Sequence, residues 1–191
     1  MQNSKSNSMD YPNLHLVSGE HGSGKTQVCA GLAQLLSLYN EDMGGVISPA
    51  VFTRGRKTGI EVYDLRTQQR RSLAGLRSSD EPLESGAPAT ADWAFDAAAL
   101  AWGNELLHQA VPCGVLIVDE LGPLEFVEGQ GWMAGLDALD SRKYRMAVAT
   151  VRPTLLQTAL QRWPKAQVHR LESSDDVQPA WTALSSAAAE G

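Results

Sequence analysis

The sequence predicts an α/β protein in which a mostly parallel sheet is covered by helices. Three observations carry this expectation. Short apolar runs alternate with longer stretches of helical periodicity. A glycine-rich loop, "GEHGSGKT", joins the first apolar run to the first helix. A later run, "VLIV", is apolar at successive positions, as a strand covered on both faces requires.

The elements follow in order. Leu14 to Ser18 reads as a buried strand bounded by turn residues. Lys25 to Tyr39 reads as a helix, because Val28, Leu32, Leu35, Leu36 and Tyr39 share one stripe. Val46 to Phe52 reads as a second strand, with Pro49 predicting a bend or an edge. Ile60 and Val62 then alternate with Glu61 and Tyr63, and a polar turn leads to another short run. This predicts an inserted β-hairpin over about residues 59–74. Residues 77–91 hold Pro82, Gly86 and Pro88 without periodicity, and read as a loop.

Asp92 to Ala110 reads as a helix, capped by Thr90 or Asp92, with Phe95, Ala99, Trp102, Leu106 and Ala110 on one stripe. Val115 to Val118 is a buried strand. Trp132, Leu136 and Leu139 mark a short helix, and Met146 to Val151 another strand. Pro153 opens a helix through Trp163, which Pro164 stops. Gln167 to Leu171 reads as a last strand and Pro179 to Ala189 as a terminal helix. Residues 1–12 read as a disordered leader, and 13–191 as one domain.

Composition narrows the function classes. The net charge of -6 disfavours nucleic acid as the main partner. The two cysteines, Cys29 and Cys113, lack metal-binding spacing and read as buried thiols in a reducing compartment. No apolar run approaches the roughly 20 residues of a membrane span. The polar start, "MQNSKSNSMDYP", carries no apolar signal core. Together these predict a cytoplasmic protein with no membrane partner.

"GEHGSGKT" fits Gly-x-x-x-x-Gly-Lys-Thr, the P-loop pattern, over Gly19, Glu20, His21, Gly22, Ser23, Gly24, Lys25 and Thr26. Its glycines let successive N–H groups turn inward as an anion nest. The helix that follows aims its positive end at the same point. Lys25 is placed to bridge the β- and γ-phosphates, and the Thr26 hydroxyl to ligate Mg2+. The competing reading is a tight turn whose lysine is merely exposed. It loses ground because a buried strand precedes the loop and an amphipathic helix follows.

A nucleotide site needs a second anchor at the end of a nearby parallel strand. "VLIVDE" supplies it. Asp119 is placed to hold Mg2+, directly or through waters. Glu120 faces differently and is the candidate to orient or deprotonate a water attacking the γ-phosphate. A strand, a hairpin and a long helix separate this motif from the loop. The adjacent acids and that separation point to the P-loop class with a catalytic glutamate, in which another strand lies between the two motif strands. No Asn-Lys-x-Asp stretch is present to read guanine, and no Leu-Ser-Gly-Gly-Gln marks a transporter cassette.

The combination "GEHGSGKT", "GGVISPAVFTRGRKTGIEVYDL", "LIVDELGPLEF" and "MAVATVRP" resembles the THEP1 nucleoside-triphosphatase family, over roughly residues 13–165. The resemblance implies a RecA-like P-loop fold, a three-layer αβα sandwich. It also implies slow, Mg2+-dependent hydrolysis of ATP, GTP and other nucleoside triphosphates to the diphosphate. Carried over by position, Lys25 and Thr26 serve the phosphates and Mg2+, Asp119 the metal, and Glu120 acid-base chemistry. Glu125 matches a second acid of the Asp-Glu-h-Gly-x-h-Glu motif, with its role open. The chain departs from the family pattern at Ala50 and Phe52, where a Glu and an Arg are frequent, and at Pro123, where a Lys is. Arg152-Pro153 replaces a His-Arg pair. These departures suggest a divergent branch with its own substrate or partner.

Seven of the 16 basic residues crowd into residues 54–77. They make either a lid or second anionic-substrate site, or a solvated hairpin edge whose charges discourage strand pairing. Arg152 is either a γ-phosphate sensor or an exposed helix-start arginine. His21 reads as a variable loop position, and Trp93 and Trp102 as packing residues. Three functions share these motifs: an NTP hydrolase, a kinase whose basic hairpin binds the acceptor, and a nucleotide switch acting on an unidentified protein partner.

Overall fold

The structure is a computed structural model, and it describes residues 13–77 and 92–190. The leader and nearly all of the 77–91 loop expected from sequence lie outside the described residues. The chain begins with β1 (Asn13–Gly19) and α1 (Lys25–Leu38), then β2 (Met43–Ile47), β3 (Ala50–Thr53), β4 (Arg56–Asp64) and β5 (Arg70–Leu76). Next come β6 (Trp93–Phe95), α2 (Ala97–Gln109), β7 (Cys113–Leu121), the single turn α3 (Pro123–Phe126) and α4 (Met133–Ser141). β8 (Tyr144–Val151), α5 (Leu156–Arg162), β9 (Gln167–Leu171) and α6 (Val177–Glu190) complete the order.

Among the described residues the strands form one sheet in the order β6-β5-β4-β2-β7-β8-β1-β9, with β3 attached to β4. From β2 to β9 every pairing is parallel. β4, β5, β6 and β3 extend the sheet by antiparallel pairing. β8 therefore separates β1 from β7, the intervening strand that the motif spacing called for.

Side chains alternate across the parallel strands into two apolar layers. Leu16, Leu116, Val118 and Ala147 pack with α2, α4 and α5. Val17, Val115, Ile117 and Val148 pack with α1 and α6 on the opposite face. Burial on both faces explains why these strands read as unbroken apolar runs. Helices on two faces of one sheet make the expected three-layer sandwich. Cys29 and Cys113 are both free and buried, and burial pushes both thiols up, Cys113 to about 11.

The sequence expectation fails at three boundaries, each for a local reason. The strand expected over Val46–Phe52 is two strands broken at Ser48-Pro49, since a proline cannot donate to the ladder. The helix expected from Asp92 begins only at Ala97. Trp93–Phe95 instead pair with β5, and the Asp96 carboxylate caps the helix through the Ala99 N–H at 2.6 Å. The hairpin is wider than expected, because β4 starts at Arg56 and β5 runs to Leu76.

Candidate active site

β1 ends at Gly19, and the glycine-rich loop carries the chain into α1. Gly24 is the N-cap of α1 with φ 97°, a left-handed conformation that a β-carbon would strain. No side chain caps this helix start and its first turn holds no acid. The first amides and the positive helix end are thus left open to an anion. Lys25 folds back along the loop, donating to the Gly19 carbonyl at 2.6 Å and the Glu20 carbonyl at 2.8 Å. Thr26 follows as the second helical residue and is half-buried. Glu20, His21 and Gly22 are exposed, whereas the Ser23 hydroxyl is buried with no hydrogen-bond partner.

The second half of the site lies at the carboxyl end of β7. Asp119 is fully buried. Its Oδ1 accepts from the Thr150 hydroxyl at 2.8 Å, and its Oδ2 from the Ser48 N–H at 3.0 Å. An ionised carboxylate has about four acceptor positions, so two remain for a further ligand. The Ser48 hydroxyl beside it is buried and has no partner. These unfilled oxygens fit a hydrated divalent cation of the kind held by one or two carboxylates plus phosphate oxygens. Among the described residues no group of three or more His, Cys, Asp or Glu side chains could hold a metal ion. Any such cation would therefore draw on hydroxyls, waters and substrate oxygens.

Glu120 departs from the strand. Its φ of 71° is unusual for a residue with a side chain, and the β7–β8 register shifts between Val118 and Leu121. Its N–H donates to the Thr150 hydroxyl at 2.7 Å. The bulge therefore turns the Glu120 side chain away from the Asp119 network while anchoring its backbone to it. Burial raises the Glu120 pKa, and neighbouring Asp119 raises it further, against Lys57, Arg152 and Lys25. Arg152 Nη2 lies 4.0 Å from Glu120 Oε1. Burial also lowers the Lys25 pKa, while Glu120 and Asp119 act to raise it.

The structure thus brings Lys25, Asp119, Glu120 and Arg152 into one electrostatic centre. Glu125 stands apart from it. It is buried, accepting from the Gly122 N–H at 2.6 Å and the Trp132 N–H at 2.7 Å. Burial lifts its carboxyl to about 7 although both N–H groups pull it down. The geometry makes it a brace between α3 and the start of α4.

Two contributors escape the sequence reading. Ser48 and Thr150 hold Asp119 from neighbouring strands, and a small polar residue at the end of an apolar strand is the only sequence signal for them. Lys57, one of the basic residues clustered at 54–77, contributes as well, and its field reaches both Glu120 and His21. The basic cluster otherwise disperses. Arg66 donates to the Gln109 and Ala110 carbonyls, Arg70 lies over Tyr63, and Arg71 lies over Trp102.

Comparison with known proteins agrees with this frame. Residues 15–176 match the sequence model of the NTPase family. The chain belongs to the NTPase family. Two members named nucleoside-triphosphatase THEP1 are similar to this NTPase-family chain. The one from Methanopyrus kandleri is 30% identical over 115 residues, covering 60% of each chain. The one from Methanothermobacter thermautotrophicus is 27% identical over 145 residues, covering 73% of this chain and 77% of the relative. The chain thus spans less than two thirds of the first relative's length. The solution structure of a human cancer-related nucleoside triphosphatase superposes with a TM-score of 0.66 at 16% identity, covering 91% of this chain and 96% of that one. That likeness establishes a shared fold.

Proposed function

We propose that this chain hydrolyses nucleoside triphosphates, ATP and GTP among them, to the diphosphate and phosphate with Mg2+. The observation that carries the reading is the Asp119–Thr150–Glu120 arrangement opposite the open start of α1. The loop amides and Lys25 bind the triphosphate by charge and hydrogen bonding. To reach the phosphates Lys25 exchanges its two carbonyl contacts for phosphate oxygens. Thr26 and Asp119 would hold Mg2+, whose charge offsets that of the phosphate oxygens. Thr150 and Ser48 hold the Asp119 carboxylate in place. Glu120 orients a water at the terminal phosphorus and takes its proton, a role that its raised pKa favours. Arg152 sits beside that carboxylate and is available to the charge that develops on the terminal phosphoryl group.

Among the described residues no helix is long and apolar enough to cross a membrane, and a cytoplasmic setting suits the two free thiols. The test is phosphate release from a panel of nucleoside triphosphates with and without Mg2+, with product identity scored. Release of diphosphate and phosphate that depends on Mg2+ is the expected result. Pyrophosphate as product, or no turnover of any nucleotide, overturns the reading.

A further inference from the structure

Hydrolysis needs room for one water beside Glu120, yet a cavity of about 860 Å3 opens there. A water occupies about 30 Å3 in the liquid, and cavities of about 300–1,000 Å3 are typical of small-molecule sites. The cavity lies between the antiparallel extension and the β7–α4 connection. Trp93, Phe95 and Trp132 give it aromatic walls, and Ile60, Leu73 and Leu100 aliphatic ones. Ser48, Glu120 and Arg152 meet it at the strand ends, His21, Asp92, Glu125 and Glu128 also line it, and Lys57 lies 4.7 Å over the Trp93 ring.

The far wall is held in place. Glu125 braces Gly122 to Trp132, and Asn104 of α2 donates to the Gly131 carbonyl at 2.8 Å while accepting from the Ala134 N–H at 2.9 Å. The Trp132 ring packs against Gly103. These bonds fix the apolar wall before any ligand arrives. Such preorganisation lowers the ordering cost of binding.

Charge selects the occupant. Lys57 and Arg152 face the cavity together with Asp92, Glu120, Glu125 and Glu128. Among the described residues carboxylates outnumber cations, so a strongly anionic body such as a nucleotide is disfavoured. Apolar walls beside the corner formed by Ser48, Glu120 and Arg152 suit a neutral molecule with a flat apolar body and a hydroxyl directed at that corner.

We propose that this cavity binds a second substrate, a small alcohol with an aromatic or similarly flat apolar body. Its hydroxyl meets Glu120, and the centre transfers the terminal phosphoryl group to it in place of water. This rests on the nucleotide reading above. A bond forms between the alcohol oxygen and the terminal phosphorus. The bond from that phosphorus to its bridging oxygen breaks, and the electron pair leaves on the nucleoside diphosphate. The hydroxyl proton passes to Glu120, and nothing is oxidised or reduced.

The experiment uses the full chain with MgATP and 2-(2-naphthyl)ethanol as the probe. Expected are saturable quenching of tryptophan fluorescence without displacement of nucleotide, a naphthylethyl phosphate ester, and a matching fall in inorganic phosphate. Leu100→Trp, which narrows the cavity, should weaken probe binding by about tenfold or more while phosphate release stays within about twofold. Leu76→Trp, at an exposed lining position, serves the same purpose if the first variant does not fold. Hydrolysis in protein that neither binds the probe nor forms ester overturns this proposal alone. Probe binding that competes with nucleotide, or that yields no ester, also overturns it. Phosphate release without probe tests the hydrolase reading separately.

Discussion

The parallel and antiparallel halves of the sheet are built on different terms. In the parallel half, β7, β8 and β1 are buried on both faces, and their carboxyl ends hold Asp119, Thr150 and the glycine loop. In the antiparallel half, β5 is exposed over most of its length, and arginines lie over Tyr63 and Trp102 at its edge. The first half cannot move without losing core packing, which suits groups that must meet a phosphate in fixed geometry. The second half tolerates change and forms the outer wall of the large cavity. The contrast suggests that chemistry resides in the parallel half and ligand choice in the extension.

The largest expected effect breaks the parallel half at Glu120. Glu120→Gln should lower phosphate release by about 10²–10⁴-fold while nucleotide binding persists, measured by steady-state turnover and titration. Wild-type turnover should rise with pH through the raised Glu120 pKa, because the base acts only when deprotonated, and the variant should lose that limb. Glu120→Gly should also abolish turnover yet gain about 1 kcal/mol of stability, since glycine is at ease at φ 71°. A Gly variant less stable than the parent would remove the argument that function keeps strain here.

This half was also the more legible in sequence. Asp119 and Glu120 stand at the end of an apolar run buried on both faces, and Lys25 closes a glycine-rich loop between a buried strand and an amphipathic helix, so both motifs show in the sequence. Ser48 and Thr150 were invisible because each acts only through a neighbour across the ladder. β6 was misread because Phe95 falls in helical register with Ala99 and Trp102, although it pairs with Ala74. Nothing local distinguishes the two arrangements until β5 supplies the partner. The break at Ser48-Pro49 was half legible: proline signalled a bend, and only the antiparallel neighbours revealed a second strand.

A second prediction concerns a pair with no part in the site. His15 of β1 and His169 of β9 are 3.0 Å apart through Nδ1 and Nε2, with rings stacked. Burial, then the other imidazole, lowers His15 from the ordinary 6.5 to about 4. The unfolded chain therefore binds more protons between these values. This contribution is complete above pH 6.5 and fades as pH falls towards 4. Its upper limit is about 3 kcal/mol, at about 1.4 kcal/mol per pH unit. Denaturant melts at pH 7.5 and 4.5 should show the loss, and His15→Val should flatten it. Equal slopes in both proteins would assign acid sensitivity to other groups.

Glu125→Gln should have an intermediate effect, at the junction between the halves. Both Glu125 oxygens accept N–H bonds, so an amide leaves one donor facing another donor. The cost should be about 1–3 kcal/mol. Because Glu125 braces the cavity wall and not the phosphate end, probe binding should weaken more than phosphate release. A larger loss in hydrolysis than in probe binding would move Glu125 into the reacting centre.

The smallest effect belongs to the extension. Arg71 lies 4.2 Å over the Trp102 ring, and an exposed cation–π contact contributes only about 0.5–1 kcal/mol. Arg71→Ala should therefore cost about that much by thermal or chemical melting, with no change in turnover. The same result is expected of Arg70→Ala, whose Glu61 partner is solvated. If either variant instead lowered turnover severalfold, the hairpin arginines would be acting on the bound nucleotide. The division between a chemical half and a recognition half would then fail at its boundary, since the extension would be supplying charge to the phosphates. Retained turnover with altered choice of alcohol would sharpen the division, by confining the influence of the extension to what the cavity admits.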